Sequence, residues 1–501
     1  MKKLITFTLF ITIALYSYTQ QTDLSGPINI EGVLKRDYES YPKGTPIKIT
    51  NVSKLKKVKS RPNGIYLAAT IDSTQFFIPS EYGRILSFQP KTTEEFWMTQ
   101  YITFSMFDHY DNKGYLFGLR QEMTDEANDY LNSISNVFYK DDYIQDYVRT
   151  IFNGITPRKL NNNRSEYPDI DIIQSPNPDA YMLPNGVLLI STGLLSTLDS
   201  VEELTAIIVS EMAHYVFDHQ LINTTNEISR VRRSEFWRDF FSAVAAGAEV
   251  AMYESEQPYV SGGIMITAGI ASELLNAKAL DRLGMGYTDI QVRQADVVAV
   301  EFLKFNNMNP GALSSALTKM KNYYDTENDN YALSEQGDYG NINKRIAEAC
   351  ETADIKNRAY QKTMSGVQTL NAIIQQNSRN YEAAERLAKK NIDNNLATED
   401  DYVIYVKANM NRSNIPEANE RNLQLIQKIK TEFDVPNLSL YKLEILLLMR
   451  MDKQAKANEV LKEYIGLLTN YKEHAPSNSE SEWAGTEINW ATKLHRQIEL
   501  F

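Results

Sequence analysis

The chain has 501 residues, 43% of them apolar and 23% charged, values that permit sizeable cores in about three domains. A net charge of −12 argues against a nucleic-acid partner and against a generally basic membrane-binding surface. The single cysteine, Cys350, leaves no internal disulfide and reads as a small buried apolar residue.

Residues 1–20 have the three parts of a signal peptide: Lys2-Lys3, an apolar run from Leu4 to Leu15, and a short polar stretch from Tyr16. The run is well short of the roughly 18–20 residues that a membrane span needs. Export to the periplasm or the extracellular space is therefore expected. No cysteine follows the run, which argues against a lipid anchor.

Residues 21–91 are expected to be all-β. Pro46 to Val52 alternates after a Lys43-Gly44 turn, Ile65 to Ile71 leads through Asp72-Ser73 into Gln75 to Ile78, and Arg84 to Phe88 alternates again. Short strands with tight turns suggest a small barrel similar to bacterial SH3-like domains. The basic stretch of Lys54, Lys56, Lys57, Lys59 and Arg61 reads as a solvated loop.

From residue 92 the apolar spacing becomes helical, over Glu122 to Val137 and Asp142 to Phe152. An α+β domain over 92–355 follows, with one β-insert. Within it, Phe241 to Met252 and Ile264 to Leu275 suggest a helical hairpin. It packs over a groove, or offers an apolar surface to a client or a membrane.

Residues 356–501 read as helical and repetitive. Asn380 to Ala383, Ile415 to Ala418 and Asp452 to Ala455 each open a second helix after a short turn. The alanines recur at steps of 35 and 37 residues, close to the tetratricopeptide period of about 34. The whole chain is thus expected to be multidomain and mainly α.

Ser200-Val201-Glu202-Glu203 is a capping box that starts a helix carrying Ser210-Glu211-Met212-Ala213-His214. That stretch reads as the zinc-protease motif HExxH with serine at its first histidine. The motif sets two imidazoles one helical turn apart, with a general-base glutamate beside them. Upstream lie Asn177-Pro178-Asp179-Ala180-Tyr181-Met182-Leu183-Pro184-Asn185-Gly186, a β-type run from Val187 to Thr192, and Gly193-Leu194-Leu195. Downstream lie Tyr287 to Asp296 and Asp338-Tyr339-Gly340, with Arg345-Ile346 beyond.

In order and spacing, residues 142–350 resemble the HtpX and CAAX-prenyl-protease family of zinc metallopeptidases. The resemblance implies an edge strand that pairs with substrate backbone, which would involve Asn177, Ala180, Leu188 and Ile190. It implies Glu211 as general base, His214 as a metal ligand and Asp296 as a supporting carboxylate. It also implies a third zinc ligand at Val292 and a histidine at Tyr339 that helps stabilise the reacting carbonyl. Two of three zinc positions therefore hold Ser210 and Val292. At roughly 3 kcal/mol per ligand their loss costs on the order of 6 kcal/mol, about four decades of affinity. Valine has no donor atom, and a serine hydroxyl is a poor ligand at neutral pH.

Other arrangements are poorer. Asp218 at i+4 from His214, with Glu211, would make a weak carboxylate–histidine site. His219, five residues on, is expected to point elsewhere. A Ser210 nucleophile with His214 as base lacks an orienting acid. His109, His474 and His495 lie outside the motif region. The expectation is a pseudopeptidase of the cell envelope that needs no cofactor and binds a peptide or protein client. The alternative is an active zinc metalloendopeptidase with a rebuilt site. A third reading is an assembly factor in which the helical array alone matters.

Overall fold

The structure, a computed structural model, describes residues 21–23, 28–55, 62–72, 74–107, 115–158, 167–226, 283–327, 341–350, 353–433 and 437–499. The signal-like segment, Lys56, Lys57, Lys59, Arg61, His109, the 241–275 stretch and Tyr339 lie outside these residues. Among the described residues no helix is long and apolar enough to cross a membrane.

The N-terminal strands are β1 (Gln21–Asp23), β2 (Ile30–Leu34), β3 (Pro46–Leu55), β4 (Gly64–Ile71), β5 (Thr74–Pro79) and β6 (Leu86–Phe88). They form an antiparallel sheet ordered β5-β4-β3-β2-β6, with β1 on the far end of β3. β5 and β6 do not pair, so among the described residues the sheet is open and the expected closed barrel is not formed. The reason is local. Ser80–Ile85 folds as a 3-10 turn, which leaves β6 three residues long and paired only to β2. Helix α1 (Thr93–Phe104) meets this turn instead. A Cβ at Gly83 would lie 2.0 Å from the Ile102 carbonyl oxygen, so only glycine permits that approach.

The central part adds α2 (Tyr115–Ser133), α3 (Asp142–Ile155), β7 (Asp169–Ile173), β8 (Ala180–Met182), β9 (Val187–Ser191), α4 (Thr192–Thr197), α5 (Val201–Val216) and α6 (His219–Asn226). Then follow α7 (Asp289–Phe305), α8 (Ala312–Thr326) and α9 (Ile342–Glu348). The second sheet is ordered β7-β9-β8, with β9 parallel to β7 and antiparallel to β8. Of the residues implied for an edge strand, Ala180 lies on β8, an edge of this sheet, whereas Leu188 and Ile190 lie on β9, its central strand. Leu188, Leu189 and Ile190 are all 0% exposed, as a strand covered on both faces requires.

The C-terminal part is α10 (Arg358–Asn377), α11 (Tyr381–Asp393), α12 (Glu399–Arg412), α13 (Pro416–Glu432), α14 (Leu438–Arg450), α15 (Gln454–Glu473) and α16 (Asn478–Glu499). Each packs on the next. The three expected second helices start where the turns placed them, at Tyr381, Pro416 and Gln454. The expected alanine register fails in the third pair, where Ala455 is exposed and Ala457 is the buried one. One apolar core runs without a break from Ile30 in the N-terminal sheet through Trp97, Leu188 and Phe302 to Tyr360 on α10.

Candidate functional site

Helix α5 starts where predicted, because the Ser200 hydroxyl accepts the Glu203 N–H at 3.2 Å. The reciprocal bond is shifted by one residue: the Glu203 carboxylate accepts the Asp199 N–H at 2.7 Å. The helix lies between β8 and α7, so its buried face carries the motif into the protein.

Ser210 is 1% exposed and its hydroxyl donates to Asp296 Oδ1 on α7 at 3.2 Å. Arg345, from α9, donates Nε to Asp296 Oδ2 at 2.9 Å and Nη2 to Oδ1 at 2.8 Å. Three elements are thereby tied through one carboxylate. Val292, at the position implied for a third ligand, lies on α7 and lines a cavity of about 270 Å³ shared with Asp296 and Arg345.

The Glu211 carboxylate accepts the backbone N–H of Met182 at 3.3 Å. Burial pushes its pKa up to about 7, with the Asp296 charge adding to the rise and Arg345 and the Met182 N–H opposing it. The Met182 carbonyl accepts from Gln220 Nε2 at 2.8 Å, and the same amide reaches the Tyr287 hydroxyl at 2.9 Å. The Asp179 carbonyl accepts the Ser191 N–H and the Leu183 N–H donates to the Val187 carbonyl on β9, so Ala180 and Met182 turn their backbone groups to the outer edge. At Met182 both outward groups are taken by the protein's own side chains, and all three β8 residues are buried.

The chain leaves α5 at Phe217, and Asp218 takes a left-handed φ of 58°. This reversal corrects two expectations. His219 is brought back against His214, with their Nδ1 atoms 3.0 Å apart, so that one Nδ1–H donates to the other. Asp218 is carried away from both and receives two bonds from Arg120 on α2, at 2.7 and 3.0 Å. The carboxylate–histidine trio is therefore not assembled, and Ser210 faces Asp296 rather than His214. Tyr287 stacks on the His214 ring at 3.5 Å between centroids. Burial holds His214 well below the usual imidazole range, with the neighbouring His219 and Arg345 charges acting in the same sense. Burial also lowers His219 to about 4.

The Asn177 side-chain oxygen accepts from the Tyr323 hydroxyl at 3.1 Å, and its carbonyl accepts from Ser191. Ala180 is 8% exposed and Leu188 and Ile190 are 0% exposed. His474 bonds the Asn470 carbonyl, and His495 bonds Asn458, both far along the helical region.

Three residues that shape the site escaped the sequence reading: His219 as a partner of His214, Tyr287 as its stacking surface, and Arg120 as the counter-ion of Asp218. The Asp218-His219 pair at a helix end was the available signal, since aspartate tolerates the left-handed turn that reverses the chain. A zinc ion of the HExxH type does not fit this donor set. Ser210 is committed to Asp296, both Asp296 oxygens are committed to Arg345, and Val292 offers nothing. Among the described residues no group of three or more histidine, cysteine, aspartate or glutamate side chains is placed to hold a metal ion.

No curated protein matches the chain. Residues 143–352, which contain the Ser210 to His214 stretch and the motif residues around it, match the model of peptidase family M48, so the central part of this chain is similar to the domains of a metallopeptidase family.

Proposed function

We propose that this protein is a metallopeptidase relative that has lost hydrolysis and acts by binding protein clients outside the cytoplasm. The observation that carries the reading is the Ser210–Asp296–Arg345 connection, in which Ser210, at a position implied for a metal ligand, and Asp296, implied as its supporting carboxylate, are spent on holding α5, α7 and α9 together. The closed edge at Met182 supports it, because a peptide adding there would have to displace Glu211 and Gln220. The same edge argues for client binding elsewhere, on the helical region, whose loose tetratricopeptide-like repeat gives it an extended surface. Export rests on the Lys2-Lys3 and Leu4 to Leu15 pattern.

A second reading, an active enzyme with a rebuilt site, has one observation in its favour: two buried imidazole nitrogens, of His214 on α5 and His219 at the start of α6, lie 3.0 Å apart. One experiment decides between them. The purified mature chain is assayed for zinc by elemental analysis and for cleavage of a denatured protein with and without chelator. Substoichiometric zinc and no chelator-sensitive cleavage are expected. Stoichiometric zinc with cleavage that disappears in Glu211→Gln overturns the proposal.

A further inference from the structure

Charge is spread unevenly along this chain. Residues 21–91 hold eleven basic and six acidic side chains, although the net charge of the whole is −12. From Ser40 to Ile71 there are seven basic residues and no acidic one. That stretch contains the β3–β4 hairpin. Five of the seven, Lys54, Lys56, Lys57, Lys59 and Arg61, fall within eight residues where β3 leads into β4.

Among the described residues this end of the hairpin reaches past its neighbours. β2 pairs with β3 only as far as Ile49, and β5 pairs with β4 only from Tyr66 on. Beyond Ile49, β3 is flanked on its other side by β1, with Gln21 opposite Leu55 and Thr22 opposite Lys54. Lys54 is exposed. Asp23 on β1 offsets one of the positive charges.

The register of β1 also fixes where the N-terminal segment meets the sheet. Gln21 comes six residues after Leu15, the last residue of the apolar run that follows Lys2-Lys3. The run therefore joins at the basic end of the hairpin, not at the opposite end, where Lys43 lies in the turn before β3. On the export reading, six residues hold this end within about 20 Å of the bilayer while the run is in it. Removal of the run leaves a new α-ammonium group at the same place, with the same sign of charge.

We propose that this end of the N-terminal sheet, with Lys54 on it, docks on an anionic lipid surface. Each basic residue beside such a surface is worth about fivefold in affinity. The rest of the chain is acidic and is repelled, which turns this end toward the bilayer. A lipid surface is favoured over a soluble polyanion because the membrane-directed run enters at this same end. The proposal goes beyond the client-binding reading and holds whether or not the chain hydrolyses.

The test is co-sedimentation of the chain from Gln21 onward with phosphatidylcholine vesicles, with and without about 30% phosphatidylglycerol, at about 0.1 M and 0.5 M salt. Binding to the anionic vesicles is expected at the lower salt, weaker by about tenfold or more at the higher salt and on pure phosphatidylcholine. Lys54→Glu should weaken it by about tenfold or more. Lys43→Glu makes the same charge change at the far end of the ten-residue β3, about 30 Å away and several screening lengths off, and should weaken it by less than about twofold. Circular dichroism melts establish that the variants are folded. No sedimentation with anionic vesicles, equal binding to pure phosphatidylcholine, unchanged binding in folded Lys54→Glu, or an equal loss in Lys43→Glu overturns the proposal. Full competition by soluble polyphosphate at the same phosphate concentration overturns the lipid surface as the occupant.

Discussion

Burial acts on Glu211, His214 and His219 in one sense, against whichever form carries charge, and so with opposite consequences for pH. Glu211 holds its proton to about pH 7 in the folded protein against an ordinary value of 4.5. Its contribution to stability is full below pH 4.5 and is lost as pH rises through 7. His219, lowered from 6.5 to about 4, contributes fully above pH 6.5 and loses its contribution as pH falls to 4. Replacing Glu211 with Gln should therefore stabilise the protein at pH 8 by about 1–3 kcal/mol and change little at pH 4.5, read from urea unfolding at the two pH values. An equal effect at both would mean that the carboxyl is not held neutral. On the acid side, His219→Asn should flatten the decline of stability between pH 6.5 and 4. The ring protons of His214 and His219 should show no titration by NMR above pH 5. The identities of Glu211 and His214 as motif residues were legible in the sequence. Their partners were not, because Met182, Tyr287 and His219 meet them only after the chain has folded back.

Helices α5 and α7 pack together beside the motif, and Asp296 fastens α7 to α5 through Ser210 and to α9 through Arg345, at the place where the resemblance implies a metal. Asp296→Ala removes the carboxylate that pairs with the Arg345 guanidinium, whose side chain is 14% exposed. A loss of about 3–5 kcal/mol is expected in chemical denaturation. Val292→Ala, which removes no polar partner, should cost much less; a comparable cost would mean that packing rather than the ion pair holds these helices together. Element starts were the most legible feature of this chain, since caps are local: Ser200 opens α5, Thr288 opens α7 and Asn380 opens α11 through side-chain bonds to backbone N–H groups three residues on. Pairing was less legible. The apolar run of β9 suited a central strand, but only the presence of β7 beside it distinguishes centre from edge.

The helical region does not hang free from the domain that carries the motif. Asn371 on α10 accepts from Thr192 at 2.8 Å and donates to Ser196 at 2.8 Å, and the Tyr360 hydroxyl donates to the Leu195 carbonyl at 3.0 Å. Lys390 reaches the Ser196 carbonyl at 2.7 Å and pairs with Asp199 at 3.0 Å, just ahead of the α5 cap. Truncation after residue 355 strips these partners from buried groups and opens the shared core at Tyr360, Met364 and Val367. The truncated chain should be insoluble or should lose its cooperative thermal transition, whereas a chain shortened after residue 452 should keep the central core. A stable, cooperatively melting 21–355 fragment would mean that the two regions are independent. Removal of the helical region therefore does not separate its role from that of the motif.

The sequence by itself determined the helical starts, the two regions of different periodicity, the matching helix turns of the last third and the identity of Ser210 and Val292 where the resemblance implies zinc ligands. Each is a property of a residue and its near neighbours along the chain. The tertiary structure alone decided that β9 is central and the N-terminal sheet open, that His219 faces His214, and that Asp296 engages both Ser210 and Arg345. Those depend on contacts between residues tens of positions apart, or, for His219, on one left-handed residue that reverses the chain, and no local pattern specifies them.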